Sequence, residues 1–472
     1  MTYPNILVLD YLRRTGKSNP EILLKTQSYL NVGYQRLLTF EVPGGGFDWY
    51  GRPPAKLLLT AYALLMLRDM SRVWDVDPQL IERTVEHLVR RQHPHGSWEL
   101  DTPIGTWSGL ASSVPVTAFV TWALAERGED QAAEPVRRGL AWLSDRLDEV
   151  HEPYFLALIA NAFVAAQPDH PIARGLLDRL AGMARGDERT AWWENGVETI
   201  TYSTGPTAKI ETTALVAYAF LRANRHVDLA DRAIHYLIRN KDSFGTWHST
   251  QATILSLRAM LAALRPQAAA SRGTVTVILN GEPVSRIELT PENDDVVQQV
   301  DLGPRVPLGE NVVELRAEGE IHALYQVTGR YYLPWPLVPR PQRAEEPLRI
   351  TVSYDKTELA AYDTITQSVR VENLSESVAN MVLVDLGIPP GFQVVAEDLE
   401  EARGSRLIDR FEITGRHVIL YLDALSPQRP FLLRYRLRAR YPVRAQAPRA
   451  VAYEYYDPES RGEAPPVLLT VR

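Results

Sequence analysis

The sequence predicts a multidomain chain of mixed α and β class: an α/α toroid of six helical hairpins, followed by two β-sandwich-type domains. Three observations lead to this prediction. Apolar, helix-like stretches recur at intervals up to residue 265. An Asn-Gly turn at Asn280-Gly281 then separates two strand-like runs. Finally, a proline-rich stretch precedes a long series of short alternating runs that extends to residue 472.

The helical half is organised around helices that are apolar on nearly every side. In the last of them, residues 249–264, Ser256 and Arg258 are the polar residues between two apolar faces, so the helix should be buried all round. Ser249 is a good N-cap for this helix. Inner helices of this kind are predicted to begin near residues 5, 58, 115, 154, 211 and 249.

Helices with a single apolar stripe alternate with the inner ones. They are predicted at residues 78–91, 132–147, 171–183 and 229–237. An open stack would leave the apolar faces of its terminal helices uncovered, so we expect the helices to close into a ring.

Two local patterns repeat around the predicted ring. Three inner helices share a Thr-Ala pair, at Thr60, Thr117 and Thr213. Aromatic turns lie before the inner helices, at residues 47–49, 96–98, 192–193 and 244–247. We expect these turns to plug one rim of the ring.

The second half of the chain is predicted to consist mainly of β-strands. After the hairpin at residues 274–289, further strands are predicted at residues 296–302, 312–317 and 323–333. A sandwich should follow, with strands at residues 348–354, 366–373, 379–386, 417–422, 431–441 and 450–455, and one helix at residues 396–403. The predicted domains are residues 1–266 (toroid), 267–333 (partial β-domain), 334–347 (stiff proline-rich linker) and 348–472 (sandwich).

Composition excludes several functional classes. The 472 residues carry a net charge of −7 and no run of basic residues, which argues against a nucleic-acid-binding surface. The sequence contains no cysteine, so disulfides, thiol nucleophiles and cysteine metal sites are absent. No apolar stretch approaches the length of a transmembrane helix, and the first residues are not typical of a signal peptide.

Catalytic alternatives depend on a few carboxylates. Glycoside hydrolysis needs two convergent carboxylates. Asp48, Asp101, Glu194 and Glu211 all lie near predicted inner-helix starts, where acidic residues also simply stabilise helix N-termini. The Asp-x-Asp pattern of terpene cyclases occurs at Asp75-Val-Asp77, but a role at the start of the helix at Pro78 is favoured.

The remaining candidate residues do not form a recognisable site. His248 has no partner motif nearby, so a structural role is favoured over a functional one. The glycines at residues 44–46 do not follow a strand, as a phosphate-binding loop would. We therefore assign no catalytic, cofactor-binding or metal-binding residue and no cofactor.

Several segments resemble the alpha-macroglobulin family. PNILVLDYL (4–12), YLNVGYQR (29–36), TAY (60–62) and STQA (249–252) are similar to its thioester-containing domain. NMVLVD (380–385), PGF (390–392), HVILYLD (417–423) and YPVR (441–444) with YEYY (453–456) are similar to its receptor-binding domain. The resemblance implies an α/α toroid, the second half of a CUB-like β-domain and a receptor-binding sandwich. It also implies a role in trapping or blocking proteases through a Cys-Gln thioester.

The sequence departs from the family pattern in ways that affect function. A thioester needs a thiol, and this chain, which starts at Met1, has none. The loop at residues 99–108 lacks the His of complement members, and the helix near residues 392–403 lacks the lysines of animal receptor-binding domains.

We therefore expect the non-enzymatic C-terminal portion of an alpha-macroglobulin-like endopeptidase inhibitor. Its partners would be proteases or other proteins together with upstream macroglobulin domains, with no nucleic acid, and its location would be extracellular or periplasmic. A toroid enzyme of the glycosidase or terpene-cyclase type and a plain protein-binding module are the alternatives.

Overall fold

The structure is a computed structural model of the whole chain. It describes residues 2–15, 20–49, 51–100, 113–126, 130–242, 245–264, 272–290, 293, 298–321, 323, 325–329, 331, 333, 337, 347–376, 378–455 and 457–472. Most of the predicted linker 334–347, and most of the loop at residues 99–108, lie outside these residues.

A closed ring of helices forms the first half of the molecule. Its inner helices are α1 (Thr2–Thr15), α3 (Leu57–Met70), α5 (Ser113–Ala125), α7 (Pro153–Ala166), α9 (Gly205–Arg222) and α11 (Thr250–Ala263). Its outer helices are α2 (Pro20–Leu38), α4 (Pro78–Arg90), α6 (Asp130–Ser144), α8 (Pro171–Gly182) and α10 (Val227–Arg239). Each inner helix packs against the next one in sequence, and α11 packs against α1, which closes the ring. The predicted inner helices and the toroid are therefore confirmed.

Burial follows the pattern that the sequence predicts. In α5 and α7 nearly every residue is buried, whereas α4 buries one side only, with Leu80, Ile81, Thr84, Val85 and Leu88. Ser249 caps α11 as expected, because its hydroxyl accepts a hydrogen bond from the Ala252 amide at 3.0 Å. Within the described residues, every helix is too short or too polar to span a bilayer.

Two small hairpins join outer to inner helices on the ring. The first pairs β1 (Glu41–Val42) with β2 (Gly46–Phe47), and the second pairs β3 (Arg185–Gly186) with β4 (Ala191–Trp192). Both lie in segments where the sequence places an aromatic turn. They lead the chain from an outer helix back to the rim.

A three-stranded antiparallel sheet follows the ring. The strand β5 (Arg272–Leu279) lies between β6 (Glu282–Leu289) and β7 (Val313–Glu320). Asn280 and Gly281 form the predicted turn, with φ angles of 52° and 87° that a two-residue hairpin of this type requires. The Asn280 side chain also accepts a hydrogen bond from the Val312 amide at 2.8 Å, which ties β7 to the turn.

Two predicted strands in this region are wrong for the residues that the structure describes. Residues 298–302 form no strand, and neither do the described residues of 323–333. Apolar side chains in the second segment, such as Tyr325, Tyr331 and Leu333, are exposed. A strand needs a hydrogen-bonding neighbour, and none of the described strands pairs with these residues, so their alternating pattern does not produce a sheet.

The last part of the chain is a β-sandwich with one helix, α12 (Ala396–Gly404). Its strands are β8 (Leu348–Tyr354), β9 (Glu358–Leu359), β10 (Thr364–Asn373), β11 (Ala379–Gly387), β12 (Phe392–Val394), β13 (Arg410–Ile413), β14 (His417–Leu425), β15 (Phe431–Ala439), β16 (Val443–Gln446), β17 (Ala450–Glu454), β18 (Asp457–Ala464) and β19 (Leu468–Val471). They form sheets of order β12-β15-β10-β8, β13-β14-β11-β17-β18 and β16-β19-β9. The first two face each other across an apolar core.

The six predicted sandwich strands correspond to β8, β10, β11, β14, β15 and β17. The remaining strands either have too few residues to show alternation or, like β18, are largely polar, so the sequence does not reveal them. The predicted helix corresponds to α12, and Leu399 and Ala402 anchor it to the sandwich core.

Candidate functional site at the centre of the helical ring

The carboxylates that the sequence singles out lie in different surroundings. Glu211 is buried on α9 in the middle of the ring. Glu194 is exposed and forms an ion pair with Lys209 at 2.9 Å. Asp48 accepts a hydrogen bond from the Arg52 amide at 3.2 Å in the first aromatic turn. Asp101 lies outside the described residues.

The two other candidates lie outside the ring centre. Asp77 caps α4 and accepts a hydrogen bond from the Gln79 amide at 3.0 Å, which confirms the helix-start role. His248 is an exposed residue of the last aromatic turn, with a φ of 62°, and its amide donates to Asp242 at 3.2 Å. The structural role of its side chain stays a prediction.

Glu211 is held by hydroxyl groups. The Ser203 hydroxyl donates to one carboxyl oxygen at 2.6 Å, and the Thr201 hydroxyl donates to the other at 3.0 Å. The Ser249 hydroxyl lies 3.4 Å from the carboxyl group. Burial raises the pKa of Glu211, and the hydroxyl hydrogen bonds oppose that rise only in part. Proton-transfer chemistry favours a carboxyl group with a raised pKa, provided that a substrate can reach it.

A second polar cluster surrounds Arg258 on α11. The guanidinium lies 3.7 Å from carboxylate oxygens of both Asp69 and Glu126. It also donates to the hydroxyls of Tyr3 and Tyr218, each at 3.3 Å. These partners come from α1, α3, α9 and the end of α5, so one side chain links four inner helices to α11. Arg258 is visible in the sequence as the charged residue of a largely apolar helix, but no pattern in the sequence indicates its partners.

Glu126 stays ionised in this cluster. Burial opposes its ionisation, but Arg258 and Arg222 together outweigh burial and lower the pKa of Glu126 to about 2. The Arg222 guanidinium lies 2.5 Å from the carboxylate, and the Trp122 indole donates to it at 3.0 Å. Arg68 fixes the same region by donating to the Glu126 carbonyl at 2.7 Å.

Side chains fill the space between the two clusters. The cavity that remains has a volume of about 20 Å³, which accommodates one water molecule. It is lined by Tyr3, Tyr62, Leu65, Phe119, Trp122, Tyr154, Leu158, Ile200, Thr201, Glu211, Leu215, Gln251, Ile254, Leu255 and Arg258. Ligand pockets are usually larger than this cavity by a factor of about ten or more. Glu211 and Glu126 therefore stabilise a packed centre and do not face a substrate-sized space.

The rim of the ring is built from a repeated hydrogen-bond unit. The indole groups of Trp98, Trp193 and Trp247 are fully buried and donate to carbonyls near the ends of α4, α8 and α10, at 2.8, 2.7 and 2.6 Å. The amides of Phe47, Trp98, Trp193 and Trp247 donate to the hydroxyls of Thr60, Thr117, Thr213 and Thr253.

This unit explains both repeated patterns of the sequence. The aromatic residue closes the end of an outer helix, and the threonine of the Thr-Ala pair anchors the turn to the next inner helix. That the aromatic turns plug one rim of the ring stays a prediction, since Trp49 of the first turn is exposed and Phe244 lies outside the described residues.

In the part of the chain that the structure describes, the His, Asp and Glu side chains include no group of three or more that could hold a metal ion.

Within the described residues, a polar contact is seen between the ring and the sandwich. The Asn380 amide on β11 donates to the Glu198 carboxylate at 3.3 Å, from the loop that also supplies Thr201 to Glu211. Burial raises the pKa of Glu198, and the Asn380 hydrogen bond opposes this rise.

Comparison with known proteins covers both halves of the chain. Residues 1–262 match the family model of the A-macroglobulin TED domain, and residues 377–465 match that of the A-macroglobulin receptor binding domain. Thioester-containing protein 1 allele S1 of Anopheles gambiae is 25% identical over 468 residues, which cover 96% of this chain and 33% of that protein. Ovostatin of Gallus gallus is 24% identical over 484 residues, which cover 97% and 32%. The chain thus spans about a third of the length of these curated relatives.

Solved structures show the same fold. Native Escherichia coli alpha-2-macroglobulin superposes with a TM-score of 0.65 and 17% identity, covering 98% of this chain and 28% of that chain. Salmonella alpha-2-macroglobulin reacted with methylamine superposes with a TM-score of 0.65 and 18% identity, covering 100% and 29%. The E. coli structure that spans domain MG7 to the C-terminus superposes with a TM-score of 0.64 over 98% of this chain and 70% of its own. The matched family models, in the order expected from the sequence, show that this chain belongs to the alpha-macroglobulin family and corresponds to the C-terminal part of its members.

Proposed function

We propose that the chain is the non-catalytic C-terminal portion of an alpha-macroglobulin-like endopeptidase inhibitor and that it acts without a Cys-Gln thioester. The sequence contains no cysteine, so this polypeptide has no thiol from which to form the bond. Its contribution to inhibition would then be non-covalent, through the surfaces of the ring and the sandwich.

The packed centre of the ring is the observation that most favours a non-catalytic role. An enzyme of the glycosidase or terpene-cyclase type uses the interior of the toroid as its substrate cavity. Here aromatic side chains and the Arg258 cluster occupy that interior, and the cavity between them has room for about one water molecule. Substrate binding would require separating a charge cluster that joins several inner helices.

The proposal includes domain limits, partners and a location. We propose a toroid at residues 1–266, a partial CUB-like β-domain at 267–333, a linker at 334–347 and a receptor-binding-like sandwich at 348–472. The partners would be proteases or other proteins, bound together with upstream macroglobulin domains, in an extracellular or periplasmic setting. The apolar side chains exposed beyond β7, including Tyr325 and Tyr331, support the need for further protein contacts.

The test combines binding and intact-mass measurements on the full chain. Serine endopeptidases are incubated with the chain, and residual activity is measured on a protein substrate and on a small peptide substrate. We expect slower cleavage of the protein substrate, unchanged cleavage of the peptide, and a complex that denaturant dissociates. Methylamine should give no mass increment.

Two results would contradict the proposal. A denaturant-resistant adduct would show covalent trapping, and the absence of binding to every tested endopeptidase would remove the inhibitor role. Turnover of a glycoside or prenyl substrate that Glu211→Gln abolishes in a folded variant would instead establish the toroid enzyme.

A further inference from the structure

The outer surface of the sheet β12-β15-β10-β8 carries a set of outward-facing arginines. We call this surface the arginine face; its basic residues are Arg349, Arg370, Arg434, Arg436 and Arg438. The inward positions of the same strands, such as Leu433, Tyr435 and Leu437 on β15, are buried in the sandwich core. Strict alternation along β15 therefore places Arg434, Arg436 and Arg438 on one side, about 6.8 Å apart along the strand.

Most of the other outward positions of the arginine face carry hydroxyl side chains. On β10, Thr364, Thr366 and Ser368 lie directly opposite Arg438, Arg436 and Arg434. On β8, Ser353 continues the row of Ser368 and Arg434, and Thr351 lies opposite Arg370. Neighbouring strands lie about 4.8 Å apart, so each arginine of β15 has a hydroxyl beside it. Leu432 is the apolar outward residue on the described part of these three strands.

The charges of the arginine face are balanced in some places and not in others. Arg370 donates to Glu372 at 2.8 Å, and Arg436 donates to Asp398 of α12 at 2.7 and 2.9 Å. Glu397 and Glu401 of α12 also attract Arg436, and Asp355 accepts from the Thr366 amide at 2.9 Å near the far end of β10.

Arg434 and Arg438 differ from these paired arginines. Among the described carboxylates, none lies within ion-pair distance of either side chain. Both residues are exposed and lie on either side of Arg436.

Folding of the sheet does not require this arrangement. Like charges on one side of a strand repel each other, and a carboxylate on the facing strand would relieve the repulsion. The rows at Arg434 and Arg438 instead have hydroxyls opposite them. Guanidinium groups and hydroxyls together match ligands that carry both acidic groups and hydroxyls, because guanidinium binds sulfate, phosphate and carboxylate in a bidentate manner.

We propose that the arginine face binds an anionic polysaccharide, with Arg434 and Arg438 contacting its acidic groups and the serine and threonine hydroxyls contacting its sugar hydroxyls. The net charge of −7 means that this attraction is local to the face and is not a property of the whole chain. A membrane is less well matched, since the face carries one apolar residue for insertion. Single-stranded nucleic acid needs aromatic platforms, and the outward positions of β8, β10 and β15 hold none, although Tyr362 and Tyr441 are exposed beyond the end of β15.

The test uses the full chain, dextran sulfate as the probe and unsulfated dextran as the uncharged reference. Binding is measured by surface plasmon resonance near physiological salt and again at about 0.5 M salt, where exposed charges are screened. We expect binding to dextran sulfate that weakens with salt, and none to dextran. The variant Arg434→Ser/Arg438→Ser should reduce affinity about tenfold or more, because it removes two charge-assisted contacts.

The matched control is Arg416→Ser/Arg429→Ser. It removes two exposed arginines from turns elsewhere in the sandwich and changes the net charge equally. We expect this variant to lose less than about twofold of the affinity, because long-range attraction is screened at this salt. Circular dichroism should show that both variants are folded.

Three results would overturn the proposal: equal loss in the two variants, no binding of dextran sulfate near physiological salt, or equal binding of dextran. Carboxylated and phosphorylated polysaccharides in place of dextran sulfate identify which acidic group is preferred. In a final binding measurement, a single-stranded oligonucleotide or vesicles with anionic lipid replace dextran sulfate. Tighter binding to either one, with the same dependence on Arg434 and Arg438, would show that the partner class is wrong.

Discussion

The helical ring and the three-stranded sheet β6-β5-β7 show clear apolar patterns in the sequence, yet the ring buries its inner helices in one large core and the sheet does not join such a core. Every inner helix of the ring has neighbours on both sides, and the described helices share one continuous core. The sheet contributes to neither of the two large cores of the described residues, and β7 is mostly exposed. The two regions differ because the ring repeats one structural unit, so that each helix buries the apolar side of the next. A single sheet has two edges and two faces that other parts of the protein must bury.

An apolar pattern in the sequence therefore predicts a helix or a strand, but it does not predict which part of the protein buries the apolar side chains. In the ring, each inner helix packs against the next inner helix, which begins about 40 to 60 residues further along the same chain. In the sheet, Val277, Ile278 and Leu279 of β5 are buried, but most of β7 is exposed, and so are Val306, Leu308 and Val312 of the connection that leads to it. We therefore expect the ring to be rigid and the sheet to be the weak point of the molecule.

The largest expected effect is a difference in amide hydrogen exchange between the two regions. Amides of β5 and β6 should exchange about ten-thousandfold faster than those of α9 and α11, because the sheet opens locally while the ring opens only with its whole core. Exchange followed by mass spectrometry of peptides covers both regions in one experiment. Protection of residues 274–289 within about tenfold of α11 would show that the sheet is fully covered and would remove the contrast.

The next effect compares the same substitution in the two regions. Arg258→Ala removes the buried cation of Asp69 and Glu126 and leaves them with Arg72 at the edge of the cluster, so we expect the free energy of unfolding to fall by about 3 kcal/mol. Arg316→Ala removes an exposed arginine of β7 that pairs with Glu314, and we expect no measurable change. Urea unfolding followed by circular dichroism measures both variants. Equal, small effects would mean that the charge cluster does not hold the ring together.

The two buried glutamates should respond to pH in opposite directions. The pKa of Glu126 is lowered to about 2, so its stabilisation is present above the ordinary value of 4.5 and is lost as the pH falls toward 2. Glu126→Gln should therefore cost about 3 kcal/mol near neutral pH, and the loss should shrink in acid. The pKa of Glu211 is raised above 4.5, so its favourable contribution is present below 4.5 and is lost as the pH rises through the higher folded value.

The corresponding variant Glu211→Gln should gain stability relative to the unmodified chain as the pH rises from about 5 to about 8. Thermal unfolding from about pH 2 to about pH 8 measures the difference for each variant. The same pH trend in both variants would mean that the surroundings of the two carboxyl groups do not differ as described.

The smallest expected loss of stability concerns the repeated hydrogen bond between an aromatic turn and the threonine of the next inner helix. Thr117→Val removes the hydroxyl that accepts from the Trp98 amide at 3.0 Å, and the buried amide should then cost about 1 to 2 kcal/mol of stability. Thr276→Val in β5 is the matched control, and we expect it to be neutral because valine favours strands. Melting temperatures of the two variants give the comparison. An equal response would show that the threonines of the inner helices are interchangeable with apolar residues.

Local patterns in the sequence were sufficient for most elements. The starts of the inner helices, the cap at Ser249 and the Asn280-Gly281 hairpin follow from periodicity and turn chemistry, which act over a few residues. The Thr-Ala pairs were visible in the sequence, but their hydrogen bonds to the aromatic turns were not. The outward arginines of β15 also follow from alternation, once the inward side of the strand is known.

Tertiary structure alone decided how the centre of the ring is filled and which strands find a neighbour. Arg258 meets Asp69 and Glu126 from distant parts of the chain, and no spacing rule in the sequence pairs them. Glu211 and Glu194 have the same side chain, but one is buried among hydroxyls and the other is exposed beside Lys209. Residues 323–333 alternate as a strand does, yet the described ones pair with no described strand. The periodicity of a sequence indicates which side of its own helix or strand a residue lies on. Charge pairing, burial and strand pairing depend instead on which distant helix or strand packs beside that residue.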